Sequence, residues 1–482
     1  MRGITTRTPA PAAGPWRTLS AGLVAVALVC AGCAAFRSYD GELSDTIAFA
    51  NAGRLKAAIG ALESRGPASQ RDLLHFMELG ELLRLEGNLP DSQAAWRKAD
   101  AMVQTWESSA RNDPAKILAG AAAYAVNEKL RPYEGLDYEK VMLTTRIALN
   151  HLALGDWDNA RVEIKKTHER EAVIASLRAR QFEEIEREAK TRGAKTQFRE
   201  LNGYPVATLD TPEAAALRNG YQSAFSHYLA GFVYEALGEP GLAAAGYRQA
   251  IELQPNQPFL ERALEGLDRP QAGDGQTDLL VVIETGLAPG RQSRGFNIPV
   301  PSGNNLVWVP VSFPVLRSEE IAAMPESIEI DGAGAMAVTP VTSVDAMARR
   351  ALQDDLPGIM LRGIIRSAVK AALQRQARKR DSQGLSELAV TLGGLLTESA
   401  DERGWRTLPA RIAIARGRVA SGKQQLRFRT ARGIDSVEVN LAGTHAVVSV
   451  RVLGGRVFIL PTGSTTKSRE ARSTFSFAQA LW

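Results

Sequence analysis

Ala224-Phe-Ser-His227-Tyr-Leu-Ala230-Gly231-Phe-Val-Tyr234-Glu-Ala-Leu-Gly238-Glu-Pro-Gly-Leu-Ala243-Ala-Ala-Gly-Tyr247-Arg-Gln-Ala250-Ile-Glu-Leu-Gln-Pro255 is the stretch that decides the fold. Apolar and small residues recur at helical spacing on both sides of Gly238. Gly231 and Ala243 are small where two antiparallel helices would cross closely, and Gly238 serves the turn between them. Tyr247 is large enough to fill the gap to a following unit. Pro255 stops the second helix, because proline has no amide hydrogen and clashes with the turn before it. Such a hairpin cannot bury its apolar face alone, so further copies are expected beside it.

The spacing is similar to that of a tetratricopeptide repeat, and other copies follow. Phe76, Leu79, Gly80, Leu83, Gly87, Ser92, Trp96 and Ala99 match all but the final proline, while Ile147, Ala148, His151, Gly155, Ala160 and Ile164 match less fully. Gly53, Ala58 and Leu62 make a partial unit. The turn glycines 53 and 87 are 34 apart and 87 and 155 are 68 apart, so a degenerate unit is expected around Ile117 to Lys129. From 155 to 238 the interval is 83, about fifteen too long, with the excess in the charged stretch Glu169 to Thr211. An overlong helix, Glu171 to Ala189, and a loop with Pro205 are expected there. Stacked hairpins form a solenoid whose inner face commonly binds peptides or partner helices. On that face the register puts Glu81, Arg84, Tyr228, Phe232 and Glu235 as candidate protein-binding residues; Phe232 is equally suited to core packing.

Beyond Arg269-Pro-Gln-Ala-Gly-Asp-Gly-Gln-Thr277 the texture changes to short β-branched runs, Leu279 to Glu284, Leu306 to Phe313, Ser327 to Ile330, Ala410 to Ala415, Gln424 to Arg429, Ser436 to Leu441, His445 to Leu453 and Arg456 to Leu460. Glycine-rich turns join them, as in hairpins. The expected fold class is α+β multidomain: an N-terminal α-solenoid of repeat-like hairpins over 33–268, a linker over 269–277, and a β-sandwich-like domain over 278–460, with a polar tail over 461–482. A helical insertion, 344–396, interrupts the strands. In it Ile359, Met360, Ile364, Ile365, Ala368 and Ala372 form an apolar stripe, opposite or beyond which lie Arg362, Arg366, Lys370, Arg375, Arg378, Lys379 and Arg380. Such a helix suits an anionic membrane surface or, equally in pattern, the flank of a sheet; Gly384 to Leu396 would pair with it.

The N-terminus reads as an export signal: Arg2, Arg7 and Arg17 precede an apolar run, Leu19 to Cys30, too short for the ~20 residues that span a bilayer. Val29-Cys30-Ala31-Gly32-Cys33 resembles a bacterial lipobox, with Cys30 where leucine is commonest. The resemblance implies lipid (palmitate among the acyl chains) on Cys33 and removal of 1–32. Ala34, where aspartate would favour inner-membrane retention, points to the periplasmic face of the outer membrane. Cys30 and Cys33 are the only cysteines, so no disulfide framework is expected. Of 58 basic and 53 acidic residues, the signal carries three arginines and no acid, which leaves 55 against 53. That balance lacks the excess of positive charge typical of nucleic-acid binding.

Nothing in the sequence argues for catalysis, a metal or a cofactor. Gly417-Arg-Val-Ala-Ser-Gly422-Lys423 has phosphate-loop spacing, but Gln424 stands where Ser or Thr would meet magnesium. Gly332-Ala-Gly334-Ala-Met-Ala337 has a dinucleotide-like start, but Pro340 follows where a helix should continue. The histidines 75, 151, 168, 227 and 445 show no metal spacing. The densest polar group is Glu398-Ser-Ala-Asp401-Glu-Arg403-Gly-Trp405-Arg-Thr-Leu-Pro409. Glu398, Asp401, Arg403 and Trp405 there suit either a structural clasp or a site of an envelope enzyme or carbohydrate-binding module.

Tyr133-Glu134-Gly135-Leu-Asp-Tyr138-Glu139-Lys140-Val141, Ala148 through Asp156, Ala160-Arg161-Val162-Glu163 and the segment from Glu398 to Pro409 together resemble an uncharacterised family of proteobacterial tetratricopeptide-repeat lipoproteins. Members are often encoded near a lipoprotein activator of penicillin-binding proteins, which implies a place in envelope assembly. The expected function is a membrane-tethered protein-interaction scaffold, whose partners are the membrane and one or more envelope proteins, with no small-molecule substrate evident.

Overall fold

The computed structural model describes residues 38–66, 71–113, 132–192, 208–268, 273, 275–302, 305–317, 324–379, 400–430 and 433–460. Cys33 and the signal, the unit expected at Ile117 to Lys129, the Pro205 loop, Arg380, the segment Gly384 to Leu396, Glu398 and the tail 461–482 lie outside these. The described chain is a mixture of helix and sheet, and none of its sheets closes into a barrel.

The helices come as hairpins: α1 Tyr39–Asn51 with α2 Leu55–Glu63, α3 Leu73–Glu86 with α4 Leu89–Asn112, α5 Asp137–Ala153 with α6 Trp157–Arg192, and α8 Ala224–Ala236 with α9 Pro240–Leu253. The short α7, Pro212–Ala215, and the closing α10, Pro258–Glu265, complete this part. The turn glycines Gly53, Gly87, Gly155 and Gly238 have φ of 73°, 87°, 77° and 74°. Each is left-handed backbone, where a side chain costs ~1 kcal/mol or more, so the period of thirty-four is a period of turns.

Within the hairpins a glycine of the first helix accepts an aromatic ring from the second. A Cβ on Gly80 would fall 2.3 Å from the Trp96 ring, and one on Gly231 would fall 2.5 Å from the Tyr247 ring. Tyr247 thus fills a hollow in its own unit instead of the gap to the next. α9 ends at Leu253 with Pro255 just beyond, as the spacing predicts. The fifteen extra residues after Gly155 largely extend the second helix of that unit: α6 runs for 36 residues without a break.

The strands are β1 Gln276–Thr285, β2 Gly290–Ser302, β3 Asn305–Arg317, β4 Ser327–Ile330, β5 Gly334–Ala337, β6 Thr339–Ser343, β7 Arg411–Ala420, β8 Gly422–Thr430, β9 Gly433–Leu441, β10 His445–Leu453 and β11 Arg456–Ile459. A mixed five-stranded sheet has the order β11-β10-β1-β7-β6, a four-stranded sheet the order β5-β4-β8-β9, and β2 and β3 form a long ribbon. β2, β5 and β6 were not legible in the residue pattern. The two nucleotide-like motifs are turns: Gly332 and Gly334, both at positive φ, join β4 to β5, and Gly422 follows the Ser421 bend between β7 and β8.

An isolated sandwich beyond a linker is not what forms. Leu279, Val281 and Ile283 of β1 pack with Ile328, Phe428 and Leu441 of the smaller sheet. The intervening Leu280 and Val282 join Trp96, Leu143, Phe225 and Tyr228 in one cluster with the helices. The central sheet is therefore covered on both faces, in three layers, which is why β1 reads as an unbroken apolar run instead of an alternation. One core spans the expected boundary at 269–277.

The inserted α11, Val344–Lys379, starts directly after β6 and lies along α5, α6 and β3. Met347, Leu352, Ile359 and Met360 are buried in the main cluster. The first part of the apolar stripe thus packs on the chain's own core, as a helix on the flank of a sheet does, and is unavailable to a bilayer.

Candidate functional site

The positions read as an inner binding face are mostly closed, although Tyr228 and Glu235 border a cavity of about 370 Å³ with Arg416 and Phe259. Glu81, Arg84 and Phe232 are fully buried and Tyr228 is 1% exposed. Arg146 of α5 donates from Nη2 to Glu81 Oε1 at 2.6 Å and also ion-pairs with Glu284 of β1, while Arg84 Nη1 donates to Asn150 Oδ1 at 2.5 Å. At the other end, Arg416 of β7 lies over Phe232, 4.8 Å from the ring centroid, and pairs with Glu235 at 2.8 Å. The chain's own central sheet covers these residues of the repeats. The assignment of Glu81, Arg84, Tyr228 and Phe232 to a partner-binding groove is corrected on that ground, and Glu235, half-buried, is committed to Arg416 and to the Tyr247 hydroxyl at 2.6 Å.

The segment after Ala400 is tied down at three successive backbone amides. Trp405 N–H donates to Glu139 Oε1 at 2.7 Å, Arg406 N–H to Glu78 Oε1 at 2.7 Å, and Thr407 N–H to Glu78 Oε2 at 2.9 Å. Glu139 also reaches back to the Leu136 amide at 2.9 Å, where it caps α5. Burial pushes Glu78 up to about 7 and raises Glu139 as well. Shifted carboxylates can mark catalysis, but both of these are fully buried with every oxygen engaged in hydrogen bonds, so they act as clamps. The Trp405 indole is 1% exposed and meets Trp96 edge-on at 6.2 Å. A sugar could not stack on it, which removes the aromatic platform from the carbohydrate-binding alternative. Asp401 holds Arg403 at 2.8 Å.

Asp401 borders a cleft of about 230 Å³ between α6 and α11, floored by the start of α5 and by β2 and β3. Its apolar wall comes from Leu177, Phe182 and Ile185 of α6 and Ile359 of α11, and Phe182 is 40% exposed. Arg178 braces the two helices to α5, pairing with Asp137 at 2.6 Å and with Asp355. Burial opposes the Asp137 charge, but Arg178 and Lys140 outweigh it and hold the carboxyl at about 2. Lys140 sits 3.5 Å from the Trp106 ring centroid. Arg291 of β2 is different: it lines the cleft, is 8% exposed, and its Nε has no hydrogen-bond partner among the described residues. Among the described residues no Ser, Cys or His lines this cleft; Glu134, Asp137, Asp354, Asp355 and Asp401 share its wall with Lys140, Arg178, Arg291 and Arg362, so it offers apolar contact beside charges of both signs. Sequence reasoning missed Arg291 and Phe182. Arg291 lies in a strand that the pattern did not reveal, and Phe182 in a helix read only as overlong.

Among the described residues one group has metal-like proximity: Glu235, Asp278 and His445. Arg416 already satisfies both carboxylates, at 2.8 Å and 2.7 Å, and a cation would have to displace it.

No protein-family model matches the chain, and no curated protein matches it. Among solved structures it is similar to a tetratricopeptide repeat protein from Parabacteroides merdae, with 14% identity over 48% of this chain and 98% of that one, at a TM-score of 0.14. A superposition that poor carries no argument about fold or activity.

Proposed function

We propose that the protein is a non-enzymatic, lipid-anchored adaptor at the periplasmic face of the outer membrane, and that it takes a segment of an envelope protein into the cleft between α6 and α11. The observation that carries this reading is Arg291, buried and, among the described residues, without a hydrogen-bond partner for Nε, at the floor of a cleft with one apolar wall. An acidic side chain or chain terminus with apolar neighbours is the occupant that would satisfy it. The repeats then act as a frame that holds the cleft, with their inner face given to the sheet.

The anchor follows from the lipobox-like Cys33. Ser38 is five positions further on, a span of at most ~18 Å of extended chain. The end bearing the start of α1 would therefore face the bilayer, and several acyl chains would hold it there. The family resemblance, with its link to penicillin-binding-protein activation, makes the peptidoglycan assembly machinery the first place to look for the partner. The solenoid and sandwich descriptions belong to this reading only as the origin of the layers.

A photo-crosslinking residue at Gln181, on the rim of the cleft, tests it in cells. One specific envelope protein should be captured, and capture should fall at least tenfold in an Arg291→Gln background. Equal capture in that background, or turnover of peptidoglycan or lipid by the purified chain, would overturn the proposal.

A further inference from the structure

A layer of charge is sealed between the helices and the central sheet. α3 supplies Glu81 and Arg84, one turn apart; α5 supplies Arg146; β1 supplies Glu284; and β10 supplies Arg451, directly across the parallel pair from Glu284. All five side chains are fully buried. Arg146 is saturated by the two glutamates. The other two arginines are not. Arg84 has its Nη1 on Asn150, and Arg451 has its Nη2 on the carbonyls of Gly286 at 2.6 Å and Thr407 at 3.0 Å. Among the described residues Nε and Nη2 of Arg84, and Nε and Nη1 of Arg451, have no partner.

Three guanidiniums face two carboxylates, so the layer holds one uncompensated positive charge in a medium that penalises it. Proton loss does not resolve this. Burial pushes Arg84 and Arg451 down to about 10, still well above neutral pH. Water would satisfy N–H groups and leave the charge. A small monovalent anion does both. We propose that Arg84 and Arg451 together hold a chloride-sized anion through these free N–H groups, as an integral part of the helix–sheet interface.

The test is crystallisation of the purified mature chain from bromide with data collected at the bromine absorption edge. One anomalous peak within hydrogen-bonding range of both guanidiniums is expected, and absence of the peak overturns the proposal. In parallel, exchanging gluconate for chloride at constant ionic strength should raise the melting midpoint by a few degrees and then saturate, as binding to the folded state requires. Arg451→Met should abolish that rise; a midpoint that follows ionic strength alone counts against the anion. If the variant does not fold, the bromide map still decides.

Discussion

Arg146 on α5 and Glu81 on α3, both fully buried, meet in a two-point ion pair, Nη2 to Oε1 at 2.6 Å and Nε to Oε2 at 3.1 Å. The same guanidinium carries the sheet's Glu284. Removing one partner of a buried pair strands the other charge, at a cost of ~3–5 kcal/mol. Glu284→Gln should therefore lose about that much in urea unfolding. A loss below ~1 kcal/mol would show that packing, not charge, governs this layer.

Gly80 lies under the Trp96 ring, whereas a Cβ on Gly60 in α2 would meet nothing within 4 Å. Gly80→Ala should cost ~1–3 kcal/mol through overpacking. Gly60→Ala should gain ~0.5–1 kcal/mol from helix propensity. Thermal melting of the two variants compares them directly, and similar midpoints would speak against ring-on-glycine packing.

Glu78 titrates at about 7 in the fold against about 4.5 as a free side chain, burial being the cause. The folded state therefore takes up a proton between these values. Its contribution is full below pH 4.5 and is lost as pH rises through about 7. Glu78→Gln mimics the protonated form, so the wild type's stability advantage over it should shrink between pH 5 and pH 8. A difference in unfolding free energy that stays constant over that range would refute the assignment.

A structural arginine and a binding arginine respond oppositely to substitution. Among the described residues Arg291 Nε has no hydrogen-bond partner, although Asp401 and Asp355 favour its charge, so Arg291→Met should lower the melting midpoint only slightly, while capture at the cleft is lost. A large fall in the midpoint would make Arg291 part of the frame. Asp401→Asn should cost ~1 kcal/mol, since its two-point pair with Arg403 is still partly exposed; loss of capture with the fold retained would extend the cleft to that carboxylate.

Cys33→Ser should release the chain from the membrane fraction of cells, leave melting unchanged, and abolish function. If a released chain works normally, tethering is not part of what it does.

The residue pattern by itself determined the hairpins, because helical periodicity and the demand of a left-handed turn for glycine are local properties; Gly53, Gly87, Gly155 and Gly238 each took that conformation. It also determined most strands, including His445 to Leu453 with the bounds of β10. Only the tertiary structure decided what covers each face. Glu81 and Arg84 carry charges that look destined for solvent or a partner, and nothing near them in sequence says otherwise. The counter-charge of Glu81 arrives from Arg146, 65 residues on, and Arg146 in turn meets Glu284 138 residues further. Periodicity states which side chains share a face, but whether that face meets water, a partner or the chain's own sheet depends on contacts closed across hundreds of residues. The unbroken run from Leu279 to Ile283 was the one local sign that the sheet would be covered twice.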